Sequence, residues 1–171
     1  MNKNNLFRFT LMFFSMLIPA FSASAQTSVS VLKPTHAKVL NAWLAVNKGW
    51  RLALEKDYGT EQLDYFRKQA GVKLLPFYVT KDFNRDRRED FAVILTDGKK
   101  YAAAIFNVPF VGAKPAFFTD EIEAGDIVYY NPYTNRLLIG PYASDAGFQM
   151  IPNGKTYKIK FFLMVEGKRR F

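Results

Sequence analysis

One short acidic segment of the sequence has the side chains and the spacing of a calcium-binding loop. Its first, third, fifth and ninth positions are Asp82, Asn84, Asp86 and Asp90, all of which carry a side-chain oxygen. Ca²⁺ takes about six to eight oxygen ligands, and a tight loop can turn alternate side chains toward one point. The spacing therefore predicts a metal site in which these four side chains are joined by the main-chain carbonyl of Arg88 and by water.

The residues that follow the loop decide which kind of calcium loop it is. An EF-hand has a bidentate Glu at the twelfth position, but this sequence has Val93 there. The apolar run from Phe91 to Leu95 follows the loop directly and predicts a buried strand. The pattern is therefore that of a strand–loop–strand site and not of a helix–loop–helix site.

This segment resembles the calcium loop of FG-GAP and VCBS-type repeats. Residues 82–95 read Asp-Phe-Asn-Arg-Asp-Arg-Arg-Glu-Asp-Phe-Ala-Val-Ile-Leu, and in those families an Asp-x-Asn-x-Asp-Gly-x-x-Asp loop leads into a buried strand. The resemblance implies metal roles for Asp82, Asn84, Asp86 and Asp90. Those families form propellers from several copies, and a single copy does not imply a propeller. The chain is more similar to small secreted bacterial proteins of unknown function that carry one degenerate copy.

Arginines replace residues that the family pattern favours. The family has Gly at the sixth position and often at the fourth, where this sequence has Arg87 and Arg85. A long side chain in the left-handed conformation costs on the order of 1 kcal/mol. The loop is also neutral, because Lys81, Arg85, Arg87 and Arg88 offset Asp82, Asp86, Glu89 and Asp90. Two interpretations stay open: a weak Ca²⁺ site with a dissociation constant of roughly 10⁻⁴–10⁻³ M, or a metal-free relic in which arginines pair with the aspartates.

Residue types exclude most other catalytic arrangements. The sequence has no Cys, which excludes thiol nucleophiles and thiolate metal sites, and its single histidine is His36. A Ser-His-Asp triad would need His36, and no Gly-x-Ser-x-Gly motif is present to supply its nucleophile. Because His36 lies near the start of the first predicted helix, we expect a surface or capping residue. The sequence also has neither a P-loop nor a dinucleotide-binding Gly-x-Gly-x-x-Gly motif.

Two clusters of charge have both a functional and a structural interpretation. An acidic cluster, formed by Asp120, Glu121, Glu123 and Asp126, could supply the paired carboxylates of a glycosidase, which stand about 5–9 Å apart, or form a solvated turn. A basic C-terminal stretch could bind an anionic surface or polymer, or protect an edge strand from aggregation. Its cations are Lys155, Lys158, Lys160, Lys168, Arg169 and Arg170, against the single acid Glu166.

The N-terminus predicts export. Lys3 and Arg8 precede the apolar run Leu11 to Phe21, and Ala23-Ser24-Ala25 is a small-x-small cleavage site, so residues 1–25 are typical of a signal peptide. We expect a secreted or periplasmic protein that begins at Gln26 and has no later transmembrane segment. The formal charge of the full chain is +9, and removal of the two leader cations leaves +7, which favours contact with anionic partners.

Residues 26–171 predict a single α+β domain. Apolar residues at helical spacing predict a helix after Pro34, with Thr35 as its N-cap, and a second helix from Glu61 to Ala70. Asp97-Gly98 predicts a hairpin, residues 131–135 predict a second hairpin, and Asn153-Gly154 predicts a turn before the last strand. The predicted strands are Leu74–Thr80, Phe91–Leu95, Tyr101–Phe106, Asp126–Tyr130, Arg136–Ile139 and Thr156–Met164. We therefore expect two N-terminal helices packed on one face of a mainly antiparallel sheet of about six or seven strands.

Two functions of different classes follow from these features. The first is an exported, non-enzymatic binding or structural protein whose acidic loop supports the fold, with or without Ca²⁺. The alternative is a small exported hydrolase that uses carboxylates to cleave a glycan or a phosphodiester.

Overall fold

The computed structural model describes residues 29–70, 74–141, 146–165 and 168–170, and the expected leader lies outside this part of the chain. The described residues form two α-helices, α1 (Pro34–Val46) and α2 (Thr60–Ala70). They also form ten strands: β1 (Arg51–Leu52), β2 (Tyr78–Lys81), β3 (Asp90–Thr96), β4 (Tyr101–Phe106), β5 (Phe117–Ile122), β6 (Ile127–Asn131), β7 (Arg136–Gly140), β8 (Ala146–Asn153), β9 (Thr156–Val165) and β10 (Lys168–Arg170).

These strands form two antiparallel sheets of five strands each within the described residues. In sheet I, β3 pairs with β4 and β4 with β5, while β1 and β2 lie end to end along the other side of β3. In sheet II the order is β10-β9-β8-β7-β6, so each strand pairs with its neighbour in sequence. Short connections explain this order, because consecutive antiparallel strands need only a hairpin.

The predicted α+β domain, with two helices on one face of a single sheet, is wrong, because the described residues are mostly β and form two sheets. The described strands include β5 and β8, which the sequence pattern did not predict. With these additional strands the chain forms two sheets, and both sheets contribute residues to one hydrophobic core. Helix α1 packs on sheet I, where Trp43 contacts Phe118 at 5.6 Å between ring centroids. Helix α2 contacts the turn before β6, where its Gln62 donates to the carbonyl of Gly125.

Strand β3 is buried on both faces. The side chains of Phe91, Val93 and Leu95 face α1, and those of Ala92 and Ile94 face sheet II. All five are at most 1% exposed. Burying a side chain of this kind contributes about 1.5–3 kcal/mol, so β3 is the centre of the core. The acidic loop leads directly into this strand.

The hairpin predictions are confirmed. Thr96 pairs with Tyr101 across Asp97-Gly98, and Asn131 pairs with Arg136 in the hairpin between β6 and β7. The turn predicted at Asn153-Gly154 is also present, where Asn153 pairs with Thr156, although the preceding strand β8 was not predicted. Both Gly98 and Gly154 have positive φ, at 93° and 63°, which glycine adopts without steric cost.

Candidate functional site

The acidic loop connects β2 to β3, and Lys81 pairs with Asp90 across its base. Arg85 and Arg87 both have φ of 68°, which is the left-handed conformation that the family pattern assigns to glycine. Each costs on the order of 1 kcal/mol. The loop backbone therefore turns sharply at both arginines, and other contacts must offset the cost of that conformation.

Hydrogen bonds from the loop backbone to its own acidic side chains supply that stabilisation. The Oδ1 of Asp82 accepts from Asp86 N at 3.0 Å, and its Oδ2 accepts from Arg87 N at 2.8 Å. The Oδ1 of Asn84 accepts from the same Asp86 N at 3.0 Å. Asp86 Oδ1 in turn accepts from Arg88 N at 2.9 Å. These contacts bring the side chains of Asp82, Asn84 and Asp86 together inside one turn of backbone.

A guanidinium group lies against the same cluster. Arg88 places Nη2 at 3.2 Å and Nε at 3.3 Å from Oδ2 of Asp86, an oxygen to which Asn84 Nδ2 also donates at 3.3 Å. A cation beside a carboxylate offsets the repulsion from neighbouring carboxylates. Arg88 therefore supplies positive charge at one of the oxygens that a bound metal would use.

Asp90 is the most buried acid of the loop, with 0% exposure. Its Oδ2 accepts from Phe83 N at 3.1 Å and Asn84 N at 3.4 Å, and its Oδ1 accepts from Val108 N at 3.0 Å. Burial raises the pKa of Asp90, and the three backbone hydrogen bonds oppose that effect. The carboxylate thereby joins the loop to the segment that follows β4.

The side-chain oxygens of Asp82, Asn84 and Asp86 are of the type that Ca²⁺ prefers, and these are the residues that would contact the ion if it bound. Both oxygens of Asp90 accept hydrogen bonds from backbone amides. The Arg88 guanidinium lies against the Asp86 oxygen that a metal ion would contact. Among the residues that the structure describes, no group of three or more His, Cys, Asp or Glu side chains is arranged to hold a metal ion. The metal role of the four residues stays a prediction.

His36 is buried, so the expectation of a surface or capping residue is wrong. It is 3% exposed and its ring stacks on Phe91 with 4.5 Å between centroids. Its Nδ1 lies 2.8 Å from the hydroxyl of Tyr78, and its Nε2 lies 4.0 Å from Oε1 of Glu89. Burial lowers the pKa of His36, while Glu89 opposes the shift. Glu89 belongs to the acidic loop and also accepts from Lys33, the residue before α1, at 2.6 Å. The start of α1 therefore contacts this loop through Lys33 and His36.

The acidic cluster is divided between a strand and a turn. Asp120 and Glu121 are exposed on β5, whereas Asp126 is 4% exposed and accepts from Glu123 N at 3.0 Å. Burial raises the pKa of Asp126, and this backbone hydrogen bond opposes it. Asp126 thus closes the turn between β5 and β6. The hydrolase alternative stays a prediction without a specific contact that favours it.

The described part of the basic stretch lies on sheet II. Lys155 is at the hairpin tip, and Lys158 and Lys160 are exposed on the face of β9 that points away from sheet I. Arg136 lies on the same face, where its Nε is 2.9 Å from the side-chain oxygen of Gln149 when that amide is oriented to accept. We call this surface the basic face. The side chains of residues 168–170 lie outside the described part.

No protein-family model, curated protein or solved structure matches the chain. Neither described helix is long and apolar enough to span a membrane.

Proposed function

We propose that this chain is an exported, non-enzymatic protein that binds an anionic polymer or surface through the basic face. The observation that carries this proposal is the separation of charge between the sheets. The described residues 127–141 and 146–165, which form β6 to β9, contain no Asp or Glu, whereas they contain Arg136, Lys155, Lys158 and Lys160. A surface with one sign of charge attracts ligands of the opposite sign.

The acidic loop has a structural role in this proposal. We call the loop the clasp, because Asp90 joins β2, β3 and the segment after β4 through its hydrogen bonds. The Arg88 guanidinium supplies, at Asp86, the positive charge that a bound Ca²⁺ would supply. Ca²⁺ binds weakly, with a dissociation constant of roughly 10⁻⁴–10⁻³ M, because it must displace Arg88.

Binding of the basic face to a polyanion is tested with immobilised dextran sulfate at increasing salt. We expect the double variant Lys158→Gln/Lys160→Gln to elute at lower salt, because fewer cations contact the polymer. The matched control is Lys99→Gln/Lys100→Gln, which removes the same charge from the exposed turn between β3 and β4. Equal elution of the two double variants would show that only net charge matters and would remove the basic face as the site.

The clasp is tested by thermal unfolding with millimolar Ca²⁺ and then with a chelator. Arg88→Gln should bind Ca²⁺ more tightly than the wild type and so gain more stability at the same Ca²⁺ concentration. For any single site, the gain in the free energy of unfolding is about 1.4 kcal/mol when Ca²⁺ is at ten times the dissociation constant. The control Arg85→Gln removes the same charge from a neighbouring exposed position. If both variants respond to Ca²⁺ as the wild type does, Arg88 does not compete with the metal. A response of the wild type at micromolar Ca²⁺ would contradict the weak site.

A further inference from the structure

The two sheets meet along two seams that are closed to different degrees. At the first, between β2 and β6, Val128 N donates to the carbonyl of Pro76 at 2.8 Å. Further along, the ring of Tyr130 lies 6.2 Å from that of Phe83, and Lys81 Nζ lies 5.6 Å from the Tyr130 centroid. Backbone and aromatic contacts therefore join these two strands, although a cavity of about 460 Å³ lined by Tyr78, Val79, Val128 and Tyr129 lies between them.

The second seam, between β5 and β9, is joined at one end and exposed at the other. Thr156 Oγ1 donates to the carbonyl of Ala116 at 2.8 Å where both strands begin. Beyond that contact, Ile159 is 44% exposed and Phe161 is 52% exposed. Phe148 is the cross-strand partner of Phe161, and their rings lie 5.8 Å apart. These three side chains form an apolar strip on the face of sheet II that points toward sheet I.

Strand β5 borders this strip with its acidic residues. It pairs with β4 on one side and ends the described part of sheet I on the other. Thr119 and Glu121 of β5 line the same hollow as Ile159 and Phe148. Asp120 and Glu121 are exposed on the strand and Glu123 follows it, and we call these three residues the acidic rim.

We propose that the open seam binds an extended peptide segment of a partner protein, added to β5 as a further strand of sheet I. A strand in that position would place alternate side chains over the apolar strip, whose residues Ile159 and Phe161 are themselves two apart, as strand side chains require. Main-chain hydrogen bonds to an edge strand give affinity in this mode, and pockets for alternate side chains give specificity. The acidic rim selects a segment with Lys or Arg between its apolar residues.

Protection of the β5 edge against random strand pairing does not explain why the apolar strip beside it is exposed. Charged side chains and bulges keep edge strands from pairing at random, and β5 has both, since its register with β4 shifts between Tyr101 and Ala103. Those devices leave the apolar strip beside β5 exposed to water. A partner strand with cations covers it, while strands that carry Asp or Glu are repelled by the acidic rim. This inference goes beyond the proposed function, because the basic face is the opposite side of sheet II.

Fluorescence anisotropy with a labelled peptide of about seven alternating Val and Lys residues tests this assignment. The control peptide has the same length and charge but carries a central proline, which removes a backbone donor and stops strand addition. We expect the proline peptide to bind at least about tenfold more weakly. Glu121→Lys and Phe161→Ser should each weaken the first peptide several-fold, whereas Lys99→Ser in the turn between β3 and β4 should not. All three positions are exposed, and circular dichroism checks that each variant is folded.

Three results would overturn the assignment. Equal affinity for both peptides would mean that charge alone attracts them. Unchanged affinity in Glu121→Lys and Phe161→Ser would place the peptide elsewhere. Concentration-dependent dimerisation of the wild type, lost in Phe161→Ser, would show by analytical ultracentrifugation that a second copy covers the strip.

Discussion

Strand β3 of sheet I and strand β9 of sheet II show how differently the two sheets are buried. Every residue of β3 is buried, so its sequence, Asp-Phe-Ala-Val-Ile-Leu-Thr, is almost continuously apolar. In β9, the buried Tyr157 is followed by the exposed Lys158, Ile159 and Lys160. A central strand with both faces covered needs apolar residues throughout, whereas β9 is exposed on both faces at residues 158–161 and has lysines between its apolar residues. The layer formed by α1 makes the difference, because it covers the second face of sheet I.

The charged side chains of the two sheets also differ in what they contact. In the acidic loop, both carboxylate oxygens of Asp82 and both of Asp90 accept hydrogen bonds from backbone amides. The cations Lys155 and Lys158 on sheet II are exposed to solvent. The acids of the loop therefore contribute to folding through these hydrogen bonds, whereas Lys155 and Lys158 are in contact with water.

Phe91→Ala should give the largest loss of stability and thus tests which sheet holds the core. The Phe91 ring stacks on Phe106 at 4.6 Å and on His36, so its removal leaves a cavity that costs about 3–5 kcal/mol. Urea unfolding measures the change in the free energy of unfolding. The matched control is Phe161→Ala in sheet II, for which we expect a change of at most about 1 kcal/mol, because the ring is half exposed. Similar losses in both variants would contradict the comparison.

Asp90→Asn should come next, with a loss of about 2–4 kcal/mol. The substituted amide can accept through one oxygen only, and its NH₂ group faces backbone donors from Phe83, Asn84 or Val108. Thermal unfolding measures the effect against Asp120→Asn, an exposed acid of β5 whose substitution should change stability by about 0.5 kcal/mol or less. A small effect at Asp90 would mean that the clasp does not stabilise sheet I.

His36 makes the stability of sheet I depend on pH. Its pKa is lowered from 6.5 by burial, so below pH 6.5 the unfolded chain binds a proton more readily than the folded chain. The free energy of unfolding should therefore fall as the pH drops beneath that value. The groups that face the ring are Tyr78, Phe91, Phe110, Glu89 and Lys33.

The variant His36→Gln isolates this effect. It should lower stability at pH 7.5 by about 1 kcal/mol through the lost contact with Tyr78, and it should remove the histidine part of the slope between pH 7.5 and 5.5. Urea unfolding at several pH values measures both. Phe161→Ala provides a variant in sheet II that should keep the slope, and a slope unchanged in His36→Gln would assign the titration to another group.

Lys158→Ala should have the smallest effect on stability. An exposed cation on the basic face contributes little to folding, so the free energy of unfolding should change by about 0.5 kcal/mol or less. The same substitution should lower the salt concentration at which dextran sulfate releases the chain. A large loss of stability would show that the basic face supports the fold and is not reserved for a ligand.

Local features of the fold were predictable from the sequence where backbone chemistry decides them. Asp97-Gly98 and Asn153-Gly154 mark turns because their glycines adopt positive φ, and the structure has hairpins at both. The acidic loop was recognised from alternating oxygen side chains, which do accept hydrogen bonds from the loop backbone. The second helix was predicted within one residue of its observed start at Thr60.

Strands that depend on their neighbours were missed. Strand β5 contains Asp120 and Glu121, and β8 contains Gly147 and Pro152, all residue types that are uncommon in strands. Pairing with β4 and with β7 and β9 stabilises them despite that composition. The omission of these strands led to one predicted sheet in place of two.

By itself, the sequence determined the places where the chain turns and the segments that must be buried, because φ preferences and side-chain hydrophobicity act over a few residues. Only the tertiary structure decided what His36 and Asp90 do. Burial of His36 results from the packing of α1 on β3, and the hydrogen bond from Val108 to Asp90 joins residues that are 18 positions apart. Solvent exclusion and long-range hydrogen bonds depend on which elements meet, and short-range patterns do not contain that information.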